Sequence, residues 1–241
     1  MTIRLLAISD DPAVPTGFGR VTDHVLTPLA RSGEYEVHLC AINYQGDSRD
    51  ATRYPFRYYL PTLSSLKDPI GIGRMAKLIG EIKPDVVWIQ ADMCNVSQYY
   101  QYVASLASVP VVAYMPVDGD PFPAHTLAGM RKATISVTYT GYGKRVITGM
   151  DAALGARVEV IGLGHDPSDF YAFAETKAES KRLAREVLTS VSIIPEDAFI
   201  VLRVDKNQER KQWPATLRVF GEFAKRHANA HLWAQDRKSV V

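Results

Sequence analysis

Residues 3–42 read "IRLLAISDDPAVPTGFGRVTDHVLTPLARSGEYEVHLCAI". Ile3 to Ile8 is apolar at nearly every position, which predicts a strand buried on both faces. A glycine-bearing turn follows. Thr22 to Ala30 then carries helical spacing, and Glu36 to Ile42 is a second apolar run. Two strands that are apolar on both faces and joined through a helix form a parallel βαβ unit.

The alternation continues outward from this unit. A helix is predicted over Gly73–Ile82, with Met75, Leu78, Ile79 and Ile82 on one face, and a strand over Asp85–Ile89. Next come a helix over Ser97–Ala107, a strand over Val109–Met115, a short strand over Ile135–Thr138, a helix over Lys144–Met150 and a strand over Arg157–Ile161. The fold class is α/β: a Rossmann-like parallel sheet covered by helices on both sides.

After Ile161 the pattern changes. "GLGHDPSDFYAFAETKAES" (162–180) is polar and loop-rich. A helix over Lys181–Thr189, a strand in "EDAFIVLRV" (196–204), a helix over Ala215–Arg226 and a strand in "AHLWAQ" (230–235) then start a second α/β unit. The boundary is expected between Pro167 and Glu179, giving domains at 1–170 and 171–241. A unit with so few strands cannot bury a normal core alone. Its apolar surface is expected to be covered by the first domain, a second copy or another chain, or else to stay bare as a sticky apolar face.

Composition narrows the partners. The 241 residues carry 28 Lys and Arg against 26 Asp and Glu, a net charge of +2. That balance gives no global drive toward nucleic acid or an anionic membrane, so any anion site must be local. Cys40 and Cys94 are far apart and no CxxC pair exists, which argues against a disulfide framework or a zinc site. Cys40 sits in an apolar run and reads as a small core residue. No run reaches the roughly 18 apolar residues of a membrane span, and the N-terminal apolar stretch is too short for a signal peptide. A reducing, cytoplasmic setting is the expectation.

In an open parallel sheet, ligands bind beyond the carboxyl ends of the strands. After the first strand comes "PTGFGRVTDHV", where Gly17 and Gly19 precede a helix. Amides there could face a phosphate, or the glycines could simply make a tight turn. As a dinucleotide fingerprint it is weak: the third glycine is missing, and Asp47 comes too late to hold a ribose. "PVDGDPFP" (116–123) offers Asp118 on a loop stiffened by prolines, either as a hydroxyl acceptor and base or as a turn cap. "GLGHDPSDF" holds His165 and Asp166 without a full set of metal ligands, so no metal is expected. "DKNQERK" (205–211) crowds Lys206, Arg210 and Lys211 between a strand and a helix. That cluster could pinch a diphosphate or be a solvated face. A nucleic-acid patch would need interleaved aromatics, and only Trp213 is at hand.

Taken in order, these segments resemble the GT-B glycosyltransferases of the retaining family 4 type. "PTGFGRVTDHVLTPLARSGEYEVHLCAI" is similar to that family's opening glycine loop, helix and second strand, and "IKPDVVWIQAD" to its Pro-Asp strand. "VVAYMPVDGDPFP" matches the segment facing acceptor and reacting sugar. "YTGYGKRVI" and "VEVIGLGHDPSDFYAF" match the end of its first domain, and "VLRVDKNQERKQWPATLRVFGEF" the start of its second. The resemblance implies a nucleotide-diphosphate sugar as donor, an acceptor hydroxyl, no metal requirement and no separate cofactor. It places Lys206 at the family's Arg and Lys211 at its Lys, both gripping the donor diphosphate with Arg210 alongside and the amides of Gly17 and Gly19 opposite. Two departures stand out. Asp205 replaces the usual glycine, and the family's histidine near Met115 or Pro116 is absent, leaving Asp118 as the substitute. The family's later donor-binding stretch, with its paired glutamates, has no counterpart, so the chain is expected to be a truncated form. The alternatives are a non-catalytic nucleotide-sugar-binding remnant and one half of a split enzyme. Glycosylation of nucleic acid is a further alternative that the near-neutral charge disfavours.

Overall fold

The computed structural model of the chain describes residues 2–44, 52–61, 68–191, 194–195 and 197–236. Asp47 lies outside them. The chain divides into two compact units, Met1–Gly164 and His165–Val241.

The first unit is built on seven parallel strands. In chain order its elements are β1 (Ile3–Asp10), α1 (Gly17–Arg31), β2 (Tyr35–Ile42), β3 (Arg57–Tyr59), α2 (Ile72–Ile82), β4 (Val86–Gln90), α3 (Met93–Tyr102), β5 (Val111–Met115), α4 (Leu127–Lys132), β6 (Ile135–Thr138), α5 (Gly141–Met150), α6 (Ala152–Arg157) and β7 (Glu159–Val160). The strand order is β3-β2-β1-β4-β5-β6-β7. β1 lies against both β2 and β4, with Ile8 opposite Cys40 on one side and Ile89 on the other. The sheet winds outward from β1 in both directions, the doubly wound arrangement of Rossmann-like folds.

The two-sided burial inferred from residues 3–8 has a direct structural cause. Alternate residues of a strand point to opposite faces. Leu6 and Ile8 join one core with Met75, Leu78 and Ile79 of α2 and Val96 and Tyr99 of α3. Leu5 and Ala7 join the other with Leu26 of α1 and Trp88 of β4. Cys40 is fully buried in the first core, where loss of water pushes its thiol up to about 11.

Several boundaries differ from the sequence reading. α1 begins at Gly17 rather than Thr22, because Thr16 caps it: the Thr16 hydroxyl accepts from the Gly19 amide at 2.9 Å. α3 starts at Met93 rather than Ser97, and Ala104–Ser108 forms a separate 3-10 turn. β3, α4 and α6 had no sequence counterpart. α6 is held by a local cap: the Asp151 carboxylate accepts from the Leu154 amide at 2.9 Å and from Arg131 Nε at 2.8 Å. These bonds hold the Asp151 carboxyl below its ordinary range.

The second unit contains α7 (Lys177–Val191), β8 (Phe199–Asp205), α8 (Trp213–Ala224) and β9 (Ala230–Asp236). β8 and β9 pair in parallel, with Leu202 opposite Trp233 and Asp205 opposite Asp236. Arg185 of α7 donates to the Ala198 carbonyl at 2.7 Å. Phe199 packs on Phe223 of α8, and Arg203 bonds Thr216 of the same helix. Leu202 and Val204, at alternate positions of the same strand, are exposed. Among the described residues, no helix is long and apolar enough to cross a membrane.

His38 supplies a test of the sheet edge. It is buried, and its Nδ1 lies 2.9 Å from the Tyr59 hydroxyl, linking β2 to the edge strand β3. Burial lowers its pKa from the ordinary 6.5. Glu36 opposes that shift, while Arg57 and Arg4 add to it. The folded protein therefore binds fewer protons at this site than the unfolded chain. The stabilisation is complete above the unfolded pKa and is lost as the pH falls below it. The unfolding midpoint should drop between pH 7.5 and about 5.5, and His38→Gln should flatten that drop, as read by thermal melts across the pH range.

Candidate functional site

The loops that follow the strands of the first unit gather on one edge of its sheet. At the end of β1, Asp10 is nearly fully buried. Its Oδ2 accepts from the Thr16 hydroxyl at 2.6 Å and its Oδ1 from Asn43 Nδ2 at 2.7 Å. Asn43 stands at φ 57°, in the left-handed region that asparagine tolerates better than most residues. Burial raises the Asp10 pKa above the ordinary carboxylate value. The bonds from Thr16 and Asn43 work against that rise, and the charges of Asp92 and Asp11 reinforce it.

The two glycines of the loop have different jobs. A Cβ on Gly19 would lie 2.5 Å from the Val14 carbonyl oxygen and 2.8 Å from that of Asp11. Only glycine fits there, and the Gly19 amide is already taken by Thr16. A Cβ on Gly17 would meet nothing within 4 Å. Among the described residues, the amides of Gly17 and Phe18 have no acceptor, as expected for the first turn of a helix. The tight-turn reading of this loop therefore fits Gly19. The open amides belong to Gly17 and Phe18.

Beneath this edge lies a chain of neutral polar groups. Thr22 Oγ1 of α1 lies 2.8 Å from Ser9 Oγ of β1. Ser9 Oγ donates to Gln90 Oε1 of β4 at 3.0 Å, and Gln90 Nε2 reaches the Tyr139 hydroxyl at 3.4 Å. Ser9, Thr22 and Gln90 are fully buried, and burial pushes the Tyr139 phenol up to about 12. The network ties the ends of β1 and β4 to Tyr139, which follows β6. Sequence reasoning missed it. The available signal was a serine and a glutamine at the ends of otherwise apolar strands.

Asp118 follows β5 on the same edge. It is exposed and has no partner among the described residues. His165 is exposed in the second unit, and Asp166 caps its own turn by accepting from the Ser168 amide at 2.8 Å and hydroxyl at 2.6 Å. Among the described residues, no group of three or more His, Cys, Asp or Glu side chains is placed to hold a metal ion.

Lys206, Arg210 and Lys211 come together at the end of β8. The segment Glu209–Lys211 is a 3-10 turn, and Gln212 at φ 52° leads into α8. The turn is pinned from several sides. The Lys206 amide donates to Asp205 Oδ1 at 2.9 Å, and the Asn207 amide to Asp236 Oδ1 at 3.1 Å. Trp213 Nε1 donates to the Lys206 carbonyl at 3.2 Å. Arg203 bonds the Lys211 carbonyl and lays its guanidinium 4.7 Å from the centre of the Trp213 ring. The three cations are not equivalent. Lys211 Nζ lies 3.4 Å from Asp205 Oδ2, whereas Lys206 and Arg210 are exposed and have no acidic partner among the described residues. Trp213 pairs with Arg203 through its ring.

No protein-family model matches the chain, and no curated protein matches its sequence. Solved structures do match its fold. HepE from Anabaena, in complex with UDP, aligns with a TM-score of 0.58 at 12% identity, covering 99% of this chain and 70% of that one. Sucrose-phosphate synthase from Thermosynechococcus elongatus aligns at 0.59 and 10% identity, covering 97% of this chain and 70% of its own. UDP-GlcNAc 2-epimerase from Neisseria meningitidis, bound to UDP-GlcNAc, aligns at 0.54 and 13% identity, covering 96% and 65% respectively. The shared architecture is the GT-B fold. This chain spans between 65% and 70% of the length of these three structures.

The unequal glycines give a paired test. Gly19→Ala forces the turn apart and should destabilise the protein by roughly 1–3 kcal/mol. Gly17→Ala should leave the denaturation midpoint within about 0.5 kcal/mol of wild type. Denaturant titration of both variants measures the difference.

Proposed function

We propose that the chain serves a glycosyltransferase of the retaining family 4 type, moving a sugar from a nucleotide-diphosphate sugar to an acceptor hydroxyl. The observation that carries this reading is the pinned turn after β8. It holds Lys206, Arg210 and Lys211 at the carboxyl end of a parallel strand and the start of a helix. A ligand with concentrated negative charge suits that position. The fold supports the choice of ligand, since HepE was solved with UDP and a starch synthase from Arabidopsis thaliana with ADP and acarbose.

In this reading the bond between the sugar's anomeric carbon and the diphosphate oxygen breaks, and a bond to the acceptor oxygen forms. Negative charge grows on the departing diphosphate. Lys206, Arg210 and Lys211 would stabilise it through fixed cations. Asp118 would orient the acceptor hydroxyl and take its proton. Lysine in place of arginine at position 206 keeps the charge and gives up bidentate contact.

The test uses the full chain. Calorimetry with UDP and ADP should show diphosphate binding that weakens as salt rises. Replacing Lys206 and Arg210 together by alanine should weaken it roughly tenfold or more. Incubation with UDP-sugars and ADP-sugars should release the nucleoside diphosphate with a new glycoside. Affinity unchanged in the double variant removes the site. Conversion of the sugar nucleotide to an epimer without release of diphosphate contradicts transfer.

A further inference from the structure

Asp205 stands where a phosphate would have to bring its charge. Its Oδ2 lies 3.4 Å from Lys211 Nζ and 3.9 Å from the Arg203 guanidinium. Its Oδ1 accepts the Lys206 amide at 2.9 Å. One carboxylate thus occupies two cations and one backbone donor of the turn. Lys211 cannot give its full charge to an incoming anion while it keeps this partner. Arg203 is already tied to the Lys211 carbonyl, Thr216 and the Trp213 ring, so it stays in place whether or not the carboxylate is there.

We propose that Asp205 is a built-in counter-ion that competes with the nucleoside diphosphate for Lys211. On this view it sets the affinity of the second unit for that ligand class. The inference rests on the reading of the 206–211 turn as a diphosphate site and adds a residue that opposes binding there. In the empty site the Asp205–Lys211 pair keeps a half-buried ammonium neutralised. When the diphosphate arrives, Lys211 Nζ exchanges one anionic partner for another, and the gain is only the difference between them. Lys206 and Arg210 exchange nothing, because no carboxylate pairs with them among the described residues. The site would therefore bind its substrate and release its product more weakly than three cations in one turn suggest.

Asp205→Asn isolates the effect. The amide oxygen can still accept the Lys206 amide, so the turn keeps its backbone anchor while the charge is gone. Binding of UDP and of inorganic pyrophosphate to the full chain is measured by calorimetry at about 0.1 M salt for wild type, Asp205→Asn, Lys211→Met and the double variant. Thermal melts check that each is folded. The expected result is that Asp205→Asn binds both ligands roughly three- to tenfold tighter, the size of a screened charge–charge term at a few ångströms. The gain should vanish when Lys211→Met is added. If Asp205→Asn binds no more tightly than wild type while Lys211→Met binds more weakly, Asp205 positions Lys211 rather than competing with ligand. The inference then fails and the site stands. If neither ligand binds to any of the four proteins, the diphosphate site itself is wrong and the inference falls with it.

Discussion

The parallel pairing of β1 with both β2 and β4 is the constraint from which the rest of the first unit follows. Because the sheet winds away from β1 in two directions, the connections after β1 and β4 leave on different courses. At the carboxyl edge polar side chains bond one another. Asp10, Thr16 and Asn43 close the loop after β1. Ser9, Thr22 and Gln90 bridge β1, α1 and β4 underneath. An apolar residue at Ser9 or Gln90 would pack, but it would leave its former partner buried and unpaired. That explains polar residues at the ends of the sheet's most buried strands.

Particular strand ends of the two units gather different charged groups. Near β1 and β4 the first unit gathers Asp10, Asp11 and Asp92, and crowding by like charge contributes to the raised pKa of Asp10. The turn after β8 in the second unit gathers Lys206, Arg210 and Lys211, with Asp205 and Asp236 used mainly as internal anchors. An edge rich in carboxylates, amides and hydroxyls suits a ligand that donates hydrogen bonds, such as a polyhydroxyl acceptor. A cationic turn suits a diphosphate.

Much of this was legible in the sequence, and the gaps have physical causes. The strands of the central sheet were readable because both faces are buried, which leaves continuous apolar runs such as Leu5–Ile8 and Val86–Ile89. α4 and α6 were not, because each is a helix of six residues, too short to show a period; α4 is held by packing through Leu127 and Met130, and α6 by the Asp151 cap. The cationic cluster was visible as composition, but the inequality among its members was not. Asp205 is next to Lys206 in sequence, yet it is Lys211 that it holds. Likewise, two glycines two positions apart look alike in a motif. Only the distance from Gly19 to the Val14 and Asp11 carbonyls separates the one that shapes the turn from the one that leaves an amide open.

The proposed function stands on the pinned turn after β8, where Lys206, Arg210 and Lys211 would meet a diphosphate. A crystal structure of the full chain soaked with UDP tests it most directly. The account predicts diphosphate oxygens within hydrogen-bonding distance of Lys206 or Arg210. A diphosphate bound elsewhere, with this turn left bare, would contradict the account.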